Sequence, residues 1–245
     1  IFVKDLATGA ITRATAFPGG DANASSDAPV LSTTGAFLVF DTWASNLVPD
    51  DHSGYLDVML RDVSTGAMER VSVSASGGDA DGDSAGGAVS ADGRYVAFQS
   101  NADNLVPGDT NGCTDVFVRD RVAKTTTRFS TGHDGSQANG NSTRRVSMSD
   151  DGGLVCFQSY ASNLVPNDTN GRTDVFVWSR ATGTIERVSI ATGGAEGNGS
   201  AWDPVMSQDG RFVSFTSDSG TLVPNDNNGV WDVFLRDRLA GTTER

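Results

Sequence analysis

Short apolar runs alternate with polar, glycine-rich stretches along the whole chain, and none keeps the 3.6-residue period of an amphipathic helix. The runs are strand-length, such as Tyr95–Ser100 (YVAFQS) and Asp115–Asp120 (DVFVRD). They also recur. Leu-Val-Pro-x-Asp-x-x-Gly-x-x-Asp-Val stands at Leu47–Val58, Leu105–Val116, Leu164–Val175 and Leu222–Val233, spaced by 58, 59 and 58 residues. A fixed period of this size marks a repeat architecture in which each copy is one supersecondary unit.

Each copy predicts four strands. A short apolar stretch ending in serine (Gly87–Ser90, Pro204–Ser207) leads to an Asp-Gly turn, read as a primed hairpin turn because glycine supplies positive φ. The second strand is Phe37–Thr42, Tyr95–Ser100, Leu154–Ser159 or Phe212–Ser217. A long connection carrying the repeated motif precedes the third, which is Asp57–Asp62, Asp115–Asp120, Asp174–Ser179 or Asp232–Asp237. The fourth ends in Arg70, Arg128, Arg187 or Arg245. Four antiparallel strands per unit, repeated, predict an all-β chain built as a β-propeller, since one blade cannot bury both faces without neighbours. A β-sandwich would not account for the repetition. Complete blades are expected at about 28–73, 86–130, 144–190 and 202–245, with 1–13 (IFVKDLATGAITR) as the outer two strands of a further blade. That half-blade suggests a fragment of a longer propeller, or assembly with another chain through the incomplete edge.

The motif Ser-x-Asp-Gly-Arg-x-Val-x-Phe (Ser90–Phe98, Ser207–Phe215) followed by Asp-Val-Phe-Val-Arg-Asp (Asp115–Asp120) resembles the TolB-like propeller repeat, related to the WD-type repeats. The resemblance covers nearly the whole chain. It implies a binding platform, an accessory domain of an enzyme or, less commonly, an enzyme, because one fold hosts many functions.

Charge narrows the partners. With 18 Lys+Arg against 31 Asp+Glu, the net charge of −13 argues against nucleic acid, which needs a basic face. No apolar run approaches the ~20 residues that span a bilayer, so no membrane insertion is expected. The chain opens inside a strand with no visible signal peptide, and a secreted, periplasmic or cell-surface location is expected of the mature protein. Cys113 and Cys156 occupy non-equivalent repeat positions, which supports neither a metal nor a redox motif.

Long loops on rigid scaffolds carry function, and strand alternation puts every long connection on one rim. The repeated loops place Asp51 and Asp57, then Asp109, Asn111 and Asp115, then Asp168, Asn170 and Asp174, then Asp226, Asn228 and Asp232 at the spacing Asp-x-Asn-Gly-x-x-Asp. That spacing matches the later part of a calcium loop, where alternate oxygens converge on one ion. Proline stands at the first ligand position (Pro49, Pro107, Pro166, Pro224). The other reading is an Asx-turn that locks the loop through backbone N–H groups. The alternating Asp79, Asp81 and Asp83 of an inter-blade loop offer a further calcium ligand set or a solvated loop.

Residues that differ between copies are the better functional candidates. Trp43 and Tyr160 stand at equivalent positions where the second strand enters the long loop, while Trp231 and Trp202 belong to the fourth copy alone. Such aromatics beside acids and amides stack a sugar ring or grip a peptide, or else they cap the blade-to-blade core. No catalytic residues are assigned: His52 and His133 lie in non-equivalent loops and no Gly-x-Ser-x-Gly elbow is present. The expectation is a non-catalytic interaction module with a protein or glycan partner on the long-loop rim and calcium as a structural ion. The alternatives are a propeller hydrolase or lyase, and a carbohydrate-binding rim.

Overall fold

The computed structural model describes residues 1–17 and 19–245, with the backbone alone at Thr143 and Arg144. Its strands fall into four antiparallel sheets of four, each in chain order. The first is β5 (Ser26–Leu31), β6 (Phe37–Thr42), β7 (Asp57–Asp62) and β8 (Met68–Arg70). The second is β9 (Ser84–Val89), β10 (Tyr95–Ser100), β11 (Asp115–Asp120) and β12 (Thr125–Arg128). The third holds β13 (Ser142–Met148), β14 (Leu154–Ser159), β15 (Asp174–Ser179) and β16 (Ile185–Arg187). The fourth holds β17 (Ala201–Met206), β18 (Phe212–Ser217), β19 (Asp232–Asp237) and β20 (Thr242–Glu244). Ahead of them β1 (Phe2–Lys4) pairs with β2 (Ile11–Arg13) as a half-blade, and β3 (Ala16–Phe17) with β4 (Gly20–Asp21) as a small hairpin.

The first three sheets are covered on both faces, which is why their middle strands are almost wholly apolar, whereas one face of the fourth is exposed at Val205, Val233 and Leu235. In β10, Phe98 faces the preceding blade in a core with Val39, Val58 and Leu60, while Ala97 faces the following one with Phe157 and Phe176. The same side-chain alternation serves Val155 against Cys156 and Phe215 in the third and fourth blades. Directly opposed phenylalanines on the second and third strands repeat through the molecule: Phe98–Phe117, Phe157–Phe176 and Phe215–Phe234 stand 5.8, 5.7 and 5.8 Å apart. Phe40 opposite Met59 takes this place in the first blade. Such pairs add about 0.5–1.5 kcal/mol each beyond their burial. Successive blades dock second strand on first strand (β6 on β9, β10 on β13, β14 on β17), and the first strands β5, β9, β13 and β17 touch in sequence, which makes them the inner edge of the blade array.

Two local features differ from the sequence expectation. The Asp-Gly turns are not primed. Gly93 has φ +71° and its N–H donates to Ser90 O at 2.9 Å, while Asp92 does not adopt positive φ. This is a type I turn closed by a left-handed glycine, further pinned by Ser90 Oγ donating to Asp92 at 2.6 Å. The first strands also start earlier than Gly87 and Pro204. They run on through a bulge at Ala28, Gly86 and Asp203, where φ is 49°, 71° and 52°. A bulge bends the strand and continues its pairing beyond the kink, which apolar patterning does not reveal.

Candidate functional site

The repeated acidic loops converge on the arginine that ends the fourth strand. In the second blade Arg128 Nη1 lies 2.5 Å from Asp109, 3.3 Å from Asp115 and 2.8 Å from Gln137 Oε1. Arg70 meets Asp51, Asp57 and Asp79 at 3.2, 3.8 and 2.5 Å. Arg187 meets Asp168, Asp174 and Glu196 at 3.2, 3.4 and 2.5 Å. Arg245 meets Asp226 and Asp232 at 2.6 and 3.3 Å. A serine two residues after the arginine completes the unit: Ser72, Ser130 and Ser189 donate to Asp57, Asp115 and Asp174 at 2.6, 2.5 and 2.5 Å. The same hydroxyls accept the N–H of Val58, Val116 and Val175 at 3.0 Å. Loop, third strand and fourth strand are thereby tied at one point.

This geometry bears on the calcium reading. Calcium takes 6–8 oxygens, and the ligand atoms of Asp168, Asp174 and Glu196, within 4.8 Å of one another, supply three around a guanidinium. The asparagines turn the wrong atom inward. Asn111, Asn170 and Asn228 donate Nδ2 to Asp115, Asp174 and Asp232 at 2.9, 2.9 and 2.7 Å. Their oxygens accept backbone N–H from Cys113, Arg172 and Val230, closing an Asx-turn. The residues as arranged do not fit a calcium ion; an arginine stands in its place. Asp79, Asp81 and Asp83 are likewise engaged, by Arg70, by the N–H groups of Asp103 and Asn104, and by Leu56 N–H.

Electrostatics follow from this crowding. Burial pushes Asp168 up to about 6, with Asp174 adding to the effect and Arg187 opposing it. Burial also acts on Glu196, but hydrogen bonds from Thr169 and Arg187 outweigh it and bring the carboxyl down to about 2. Glu196 makes the shortest of the three contacts to the guanidinium. Burial raises Asp57 to about 6, against Ser72 and Arg70.

The aromatic candidates divide between two crevices. Tyr160 and Trp202 meet edge to face at 5.5 Å. Trp202 and Trp231 line a cavity of about 420 Å³ with Asp203 and Thr216. Trp43 belongs to another, of about 270 Å³, lined by Ser25, Ser26, Asp27, Ala28, Asp41 and Leu56. By repeat position Trp202, Asp203, Thr216 and Trp231 are the equivalents of Asp27, Ala28, Asp41 and Leu56. Both cavities lie at the bulge of the inner strand, but that of Trp43 is closed by the following blade through Gly86, while that of Trp202 opens on the exposed face of the fourth sheet beside Val205 and Val233. Sequence reasoning singled out the tryptophans and missed Asp27 and Asp41, whose signal is that glutamine, glutamine and threonine replace Asp41 in the other copies (Gln99, Gln158, Thr216). Trp178 is a core residue, stacked on Phe129 at 4.8 Å.

Comparison with solved structures places the architecture. TolB from Acinetobacter baumannii superposes with a TM-score of 0.56 at 15% identity, over 99% of this chain and 47% of that one. The fold is a TolB-like β-propeller. A puromycin-hydrolyzing peptidase from Mycobacterium tuberculosis gives a TM-score of 0.59 at 13% identity, over 96% of this chain and 30% of that one. An oligogalacturonate lyase from Vibrio parahaemolyticus gives 0.53 at 10% identity, over 100% of this chain and 58% of that one. The propeller therefore spans about half the length of the TolB protein, and these identities carry the fold alone. No family profile and no curated protein matches the sequence. Among the described residues no helix is long and apolar enough to cross a membrane.

Proposed function

We propose that this propeller is a non-catalytic interaction module that holds a protein or glycan partner on its long-loop rim. The observation that carries the reading is the division of labour on that rim. Acids present in every blade are consumed by the arginine clamp, whereas residues peculiar to single blades stay open. Trp43 and Tyr160 are 47% and 51% exposed, a large aromatic presentation for side chains that usually bury most of their area. The same reading puts the module in the periplasm, at a cell surface or in the secreted fraction, as the TolB-like resemblance implies.

The test is retention on arrayed glycans and peptides, wild type against Trp43→Ala and Tyr160→Ala, with product analysis of every retained ligand. Retention that falls with either substitution, without turnover, is the expected result. Retention indifferent to both, or turnover of a bound peptide or oligosaccharide, would overturn it.

A further inference from the structure

The crevice between the first and second blades holds an unusual carboxylate. Asp41, next to last in β6, faces β9, and its Oδ2 accepts the N–H of Gly86 at 3.0 Å. Gln158 does the same one repeat pair later, its Oε1 accepting from Asp203 N–H at 2.8 Å. The position is thus a structural link between blades, for which an amide suffices. Asp41 instead brings a charge into a site where it is 6% exposed, and its Oδ1 has no hydrogen-bond partner among the described residues. The residue directly opposite on β5 is Asp27, a second carboxylate. Like charges facing each other across a strand pair are destabilising. Asp41 is raised to about 6, by burial first, with the charge of Asp27 adding to it and Gly86 N–H and Arg145 on β13 opposing it.

The walls specify what would relieve this. The exposed indole of Trp43 flanks the carboxylates, and Leu56 and Ala28 complete an apolar side. Ala28 is held at φ 49° in the bulge that recurs at Gly86 and Asp203, its N–H donating to Asp27 Oδ1 at 2.7 Å. Two carboxylates fall well short of the oxygens a calcium ion takes, and a hydrated metal gains little from an indole and a leucine. An alkylammonium ion uses every part: its N–H groups meet the exposed carboxylate of Asp27 at the mouth, its charge offsets that of the buried Asp41 behind it, and its methylenes lie against Trp43, which also favours a cation over its face.

We propose that the crevice walled by Asp27, Asp41 and Trp43 is a binding site for a primary alkylammonium group on an extended chain, as presented by a lysine side chain. This rests on the long-loop rim being the binding face and names the chemistry of one position on it. No other blade combines these residues: position by position, the second carries Ala85, Gln99 and Asn101, and the fourth Trp202, Thr216 and Asp218.

The test titrates the whole chain calorimetrically with Nα-acetyl-lysine methylamide, with the norleucine analogue as the uncharged isostere and calcium chloride as the competing cation. Saturable binding of the lysine compound alone is expected. Asp41→Gln installs the side chain that the second and third blades carry there, so folding is preserved; it should weaken binding by about tenfold or more, the scale of one charge-assisted contact, without lowering the melting temperature. Binding to the wild type should also weaken as pH falls through the Asp41 pKa of about 6, a response the Asp41→Gln protein lacks. Absence of saturable binding, equal binding of the norleucine compound, full affinity in Asp41→Gln, or displacement by calcium would each overturn the proposal. Amine silence together with array retention that still depends on Tyr160 would fell the crevice and leave the rim; array retention indifferent to Trp43 and Tyr160 beside intact amine binding would do the reverse.

Discussion

Replacing Arg128 by leucine removes the cation from the second blade's clamp and leaves its acids in place. Asp109 and Asp115 side chains are 2% and 1% exposed, so neither can recover hydration without opening the loop. Asp115 keeps Ser130 and Asn111, but Asp109 loses its 2.5 Å contact outright. Breaking a buried pair by removing one partner costs about 3–5 kcal/mol, because the remaining charge is uncompensated. At about 2–4 °C per kcal/mol for a chain of this size, the melting temperature should fall by roughly 6–20 °C. Two controls identify the cause. Burial already raises Asp109 and Asp115, so without the guanidinium they protonate more readily and the deficit should shrink in mild acid. Adding Asp109→Asn to Arg128→Leu should recover part of the loss, a coupling that independent sites do not show. A deficit below about 1 kcal/mol, the scale of an exposed ion pair, or one indifferent to pH, would refute the clamp as a buried electrostatic unit.

Two further outcomes follow from the same structure. Burial raises Asp41, Asp57 and Asp168 to about 6 in the folded chain, from the ordinary aspartate value of about 3.9. The native state therefore holds more protons than the unfolded chain between these values, and the stabilisation this brings is lost as pH rises through about 6. The groups facing them are Asp27 and Arg145 for Asp41, Asp51 and Arg70 for Asp57, and Asp174, Arg187 and Glu196 for Asp168. Thermal melts should show a higher midpoint just below pH 6 than above pH 7; a flat or opposite trend would contradict the assignment. A Cβ on Gly87 would stand 2.3 Å from Val39 Cγ1 in the first blade, so Gly87→Ala should destabilise by about 1–3 kcal/mol through overpacking. Gly54→Ala, which meets nothing within 4 Å, should be near neutral in the same denaturant titration.

The fold was legible because the repeat exposes it four times over. Each Leu-Val-Pro motif marks one long loop, and the strands on either side carry apolar runs that only a doubly covered sheet explains. The inner-strand bulges were not legible, because Ala28, Gly86 and Asp203 share a conformation rather than a residue type. The clamp was half legible. Arginine and the loop acids recur together, and pairing between them is expected, but the spacing also imitates a calcium loop. What decides the matter is the amide orientation of Asn111, Asn170 and Asn228, together with Ser130 and Gln137, which fold back onto the loop from beyond Arg128. Asp27 and Asp41 escaped notice because nothing in the sequence shows that two residues of adjacent strands face each other in a crevice.

Repeated loops that are framework closed by their own arginines leave function to the residues that differ between blades. Calorimetric unfolding of the wild type in chelator and in excess calcium tests this most directly. Superimposable transitions are the predicted result. A transition that moves upward with calcium by more than a few degrees, as ligand linkage to the native state requires of a bound ion, would show that the loops hold a metal and that the clamp has been misread.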